Sequence, residues 1–164
     1  MARGIDERFT DFAEETLQVV AAAGVMKRPA DTLATDDMDE AEEIDDRREQ
    51  VLELLSSVIQ GMRKTPERLV AVMRPSVPIV FELLDMITAQ EPCRPEIIGF
   101  ACGLLHDMIS PLGGLVAPAL SKPFVKRLCE REMRECSSEI GRMTLQQVNF
   151  FRPDATANLF ASPD

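Results

Sequence analysis

The stretch VPIVFELLDMITAQEPCRPEIIGFACGLLHDMI, Val77–Ile109, decides the fold. It opens with apolar residues at helical spacing, breaks at the polar turn QEPCRP, and resumes as a second apolar helix that Pro95 opens. Proline suits a first helical position because its missing N–H would have no helical partner there. Two helices joined by so short a turn must run antiparallel. In the second helix the small Ala101 lies about one turn before Leu104 and Leu105, leaving room for a neighbouring helix.

Outward from this hairpin the apolar residues keep a helical period, and no Val-Ile-Thr-Tyr runs bounded by hairpin turns occur. The chain reads as all-α. Ile5, Phe9, Phe12, Thr16, Val19 and Ala23 form the apolar side of a first helix, which Gly24 ends. In the second helix Ile44, Val51, Leu55, Val58 and Met62 mark one face, and only Arg48 breaks the stripe. Thr65 is placed to cap a third helix, which reaches about Ala89 and must kink or split at Pro75 and Pro78. The fourth begins at Pro95 and closes at Pro111 and Gly113-Gly114. A fifth spans about 115–136 with an interruption or kink at Pro123, and a sixth spans about 139–151. Residues 1–151 are expected to form one module, and the tail 152–164, poor in apolar residues, is expected to be disordered.

With 164 residues, 45% of them hydrophobic, the chain can bury a real core. Its net charge of −10 argues against phosphate backbones and anionic membranes, so neither nucleic acid nor membrane insertion is expected and a basic protein or peptide is the natural partner. No apolar run approaches the roughly 20 residues that span a bilayer. Cys93, Cys102, Cys129 and Cys136 are irregularly spaced, which suggests packing thiols in a reducing compartment. The single histidine, His106, has no evident nucleophile partner, and neither a phosphate loop nor metal-ligand spacing appears. No enzyme, cofactor or metal is expected.

The segment 36–62 crowds acids onto the front of the second helix. On a helical wheel Asp39, Glu42, Asp46, Glu49 and Glu53 lie within about 40° of the direction opposite the apolar stripe. A solvated face and the helix dipole account for acids in the first turn. They do not account for Asp46, Glu49 and Glu53, which continue as like charges and repel one another. A basic partner would favour them. In the fourth helix Gly99 and Gly103, one turn apart, suggest close approach of another backbone, from a neighbouring repeat or from a bound helix.

The hairpin at 77–109 resembles a HEAT repeat, and the chain as a whole reads as an α-solenoid of about three such repeats in a right-handed superhelix. RREQVLELLSSVIQGM, PERLVAVMRPSVPIVFELLDMI and FACGLLHDMISPLG follow in the order and spacing of the C-terminal repeats of the importin-β (karyopherin-β) family, and the resemblance covers about 9–148. It implies a piece of a longer nuclear import receptor that shuttles between cytoplasm and nucleus. The second helix of each repeat would line a concave surface, whose acidic face would hold the basic N-terminal segment of importin-α or basic cargo signals. Phe-Gly nucleoporins would enter grooves between outer helices, and Ran-GTP would bind mainly through repeats outside this chain. The partner surface is then expected at Asp39, Glu42, Asp46, Glu49 and Glu53, with Gly99, Gly103 and Asp107. One departure is Val148, which stands where the family commonly carries a partner-binding tryptophan. The alternative reading is a static HEAT scaffold for complex assembly.

Overall fold

The computed structural model describes residues 2–25, 35–136 and 138–151, with side chains for 13–25, 39–136 and 138–151. Its helices are α1 (Ala2–Gly24), α2 (Thr35–Met62), α3 (Pro66–Met73), α4 (Val77–Ala89), α5 (Pro95–Val116), α6 (Pro123–Glu135) and α7 (Ile140–Phe151). No strand occurs among the described residues. The expected disordered tail lies outside them, as do the side chains of Ile5, Phe9 and Phe12.

Helices α1, α4 and α6 pack in sequence as one layer, and α2, α5 and α7 as the other, with α1 on α2, α4 on α5 and α6 on α7. The architecture is an all-α solenoid of three antiparallel pairs, in which the short α3 leads into the second pair and rests on α1 and α5. A continuous core runs through it from Leu17 and Ala21 to Val148. Phe81 of α4 and Phe124 of α6 meet edge to face in this core with ring centroids 6.0 Å apart.

The third helix splits at its prolines into α3 and α4, as expected. Other boundaries differ from the sequence reading, each for a local reason. Thr65 stands at the N-cap of α3 without capping it, because its hydroxyl donates back to the Met62 carbonyl at 3.2 Å. Helix α5 continues through Pro111 to Val116, and its break is at Gly113, where φ is +30°, a left-handed value that favours glycine. Residues 115–116 therefore close α5. A 3-10 turn at Ala119–Ser121 follows, and Pro123 starts α6 instead of kinking a longer helix.

Helix α5 is 22 residues long and contains an 18-residue stretch of mean hydropathy 1.3, long and apolar enough to cross a membrane by length and composition alone, although Glu96, His106 and Asp107 interrupt it. That apolarity serves the core, because α5 touches α2, α3, α4, α6 and α7. The apolar faces of the first two helices are also rotated from the expected stripes. In α1, Leu17 and Ala21 are buried while Val19 is 66% exposed. In α2 the buried arc takes in Ala41, Ile44, Val51, Leu52, Leu55 and Ile59, and centres on Arg48.

Candidate functional site

Arg48, which interrupts the apolar stripe in the sequence, is only 2% exposed. Its Nε donates to the Gly24 carbonyl at the end of α1 (3.3 Å), and its Nη1 donates to the Gln90 carboxamide in the α4–α5 turn. The Gln90 amide in turn donates to Asp45 (3.2 Å) and to the Pro92 carbonyl (3.3 Å). From the other side Arg131 of α6 donates to the Thr88 and Gln90 carbonyls, each at 2.8 Å. Buried polar groups persist only when paired, so this turn is fixed by partners from α2 and α6. Burial, then Asp45, pushes the neighbouring Cys93 thiol up to about 11.

The acidic stripe lies on α2 as expected, with Asp39, Glu42, Asp46 and Glu53 exposed and Glu49 half-buried. It is not uniform. Arg94, the N-cap residue of α5, pairs with Asp46 at 2.9 Å and Glu49 at 3.2 Å. The like-charge repulsion between Asp46 and Glu49 is thus relieved within the fold by a cation 45 residues from Glu49, which helical spacing alone does not reveal. Among the described residues, no cation pairs with Asp39, Glu42 or Glu53.

Asp107 is placed differently from a free contact residue. Its carboxylate accepts Ser56 Oγ (2.7 Å), Gln60 Nε2 (2.8 Å) and Arg63 Nη2 (2.9 Å), all from α2 or just beyond it. It fastens the α2–α5 seam. Gly99 and Gly103 do not mark close backbone approach. A Cβ at Gly103 would meet nothing within 4 Å, and one at Gly99 only Cys136 Sγ at 3.7 Å. Their face of α5 is bare. The tight glycine is Gly141, where a Cβ would lie 2.5 Å from Glu132 Oε2 and 2.6 Å from the Cys129 carbonyl. Val148 is 2% exposed and belongs to the core.

His106 faces α7, 3.4 Å from Thr144 Oγ1 and 3.5 Å from Gln147 Nε2. Beside Gly99 a cleft of about 600 Å3 opens between the start of α5, the end of α6 and the start of α7. A smaller one of about 310 Å3, between α4 and α6, is lined by Arg127, Arg131, Arg134, Glu91 and Glu130 and offers little to a phenyl ring. No cluster of three or more His, Cys, Asp or Glu that could hold a metal occurs among the described residues.

A model of the family described as importin subunit beta-1-like, TPR repeats, matches residues 1–134. Comparison with curated proteins and with solved structures returned no match. HEAT and TPR repeats share the stacked antiparallel hairpin seen here. The match spans most of the chain and all three helix pairs except α7, and the chain belongs to the importin subunit beta-1-like family of helical-repeat proteins.

Proposed function

We propose that this module is part of a nuclear import receptor and that the exposed acidic face of α2, as part of a concave surface, holds a basic segment, of the importin-α N-terminal kind or a cargo signal. Residues 1–151 are the working unit, and passage between cytoplasm and nucleus would follow from that role. One observation supports the reading: among the described residues the exposed carboxylates of Asp39, Glu42 and Glu53 on α2 have no cation partner, while Asp46 and Glu49 are answered by Arg94. Opposite charge on a partner would supply steering and selectivity.

The test is fluorescence anisotropy with a Lys/Arg-rich helical peptide at several salt concentrations. Binding should fall as screening rises, and Asp39→Asn, Glu42→Gln and Glu53→Gln together should weaken it without loss of helicity. Unchanged binding by this variant would remove the acidic stripe from the function. The buried ties at Arg48, Gln90 and Arg131 favour a second reading, a static scaffold, under which the basic peptide would not bind at all.

A further inference from the structure

We infer that the α5–α7 seam carries a proton-operated tie, in which the Gln147 carboxamide turns over when His106 takes up a proton and the bond between them becomes charge-assisted. His106 is the single histidine of the chain. It sits half-buried on α5, and its ring bonds to Thr144 and Gln147 of α7. The charged groups of the elements packed on this part of α5 are engaged elsewhere. Asp107, next in the chain, is held by Ser56, Gln60 and Arg63, Glu139 pairs with Arg142 on α7, and Glu132 of α6 accepts the Ser138 hydroxyl and the Gly141 N–H. Cys129 of α6 keeps its proton throughout, pushed up by its hydrogen bond with Cys102 and then by burial.

The hydrogen bonds around the ring decide which nitrogen is protonated. Thr144, fully buried, has one hydroxyl proton, and it donates that proton to the Ile140 carbonyl at 2.7 Å. Toward its other neighbours the Thr144 oxygen can only accept, from Cys102 Sγ at 3.7 Å and from His106 Nδ1 at 3.4 Å. Nδ1 therefore carries the proton of the neutral ring, and Nε2 turns a lone pair to the Gln147 amide nitrogen at 3.5 Å. In this arrangement Gln147 Oε1 is buried and has no partner among the described residues. A second proton, on Nε2, would set donor against donor. Half a turn of the carboxamide exchanges its two ends and brings that idle acceptor to the new N–H. One end of the carboxamide is unpartnered in either state, so the difference lies in the bond to the ring. With an ionised donor that bond is about twice as strong as its neutral counterpart. The α4–α6 edge is tied independently by Arg131 on the Thr88 and Gln90 carbonyls, so what the proton changes is the grip of α7 on α5.

The experiment follows the full chain between about pH 7.5 and pH 5.5, the interval in which an imidazole takes up its proton. Long-range proton–nitrogen spectra should show the Nδ1–H form of the ring at the upper end, and the Gln147 side-chain amide signals should move together with the ring as it is protonated. A neutral ring in the Nε2–H form overturns the assignment. Thermal melts supply a second readout: relative to His106→Gln, the parent should gain about 2–4 °C between the upper and the lower pH, the shift of one hydrogen bond in a chain of this size. The sign follows from the tie, which stabilises while His106 is charged and fades as pH rises. Gln147→Leu should abolish the gain, and Gln147→Glu, whose carboxylate accepts from the charged ring without turning, should enlarge it. A parent that runs parallel to His106→Gln, or a Gln147→Leu variant that keeps the parent's gain, would show that the seam is indifferent to the proton.

Discussion

Arg48 of α2 and Gln90 of the α4–α5 turn, 42 residues apart in the chain, meet side chain to side chain in the interior, where Arg48 also reaches the carbonyl that ends α1. One guanidinium thereby joins α2 to the ends of α1 and α4. Arg48→Ala would leave Asp45 and Gln90 without this partner in a buried site. Removing one member of a buried charged network costs about 3–5 kcal/mol, and urea unfolding should show a loss of that order. Arg48→Lys should recover little, because an ammonium cannot reach both acceptors with a planar fork.

Arg94 makes the opposite kind of contribution. It bridges α5 to Asp46 and Glu49 from a partly exposed position, so Arg94→Ala should cost less than about 1 kcal/mol. The same substitution releases two carboxylates toward the proposed partner surface. Affinity for a basic peptide should rise, and its salt dependence should steepen, in the same titration.

The glycines separate cleanly. Gly141→Ala would drive a Cβ against the Cys129 carbonyl and Glu132, and overpacking of this kind costs about 1–3 kcal/mol. Gly103→Ala meets open space within a helix and should add up to about 1 kcal/mol of stability. Thermal melts of the two variants should move in opposite directions.

Acid should loosen the end of α6. Hydrogen bonding from Arg131, and behind it from Arg134, holds the Glu135 carboxyl below its ordinary range against the opposing effect of burial. A carboxylate lowered in the folded state stabilises fully above its unfolded pKa of about 4.3 and loses that contribution as pH falls through the lower folded value. Stability measured from pH 6 downward should fall less steeply below pH 4.3 in Glu135→Gln, which starts less stable, than in the parent.

Most of the helices were legible because apolar periodicity survives in a single sequence, and the hairpin at 77–109 already fixed the packing of neighbours. What stayed hidden was the polar interior. Arg48 reads as a flaw in a stripe until its acceptors, in other helices, are known. Gln90 reads as an ordinary turn residue for the same reason. Glycine carries no label for its cause, so the open Gly103 and the crowded Gly141 look alike in sequence. The acidic face was visible, but its division into answered and unanswered charges depends on Arg94, which lies beyond the helix that displays it.

The two polar nodes on α2 have a mechanical meaning. Arg48 is tied to the α4–α5 turn, and Gln60, twelve positions on, is tied to Asp107 of α5, so the anchors stand about 18 Å apart along the helix. A slide of α2 along α5 by one turn would sever both together, and two ties so far apart also resist a change in the crossing angle of the two helices. The pair is therefore pinned as a plank is by two nails, which one tie alone would leave free to pivot.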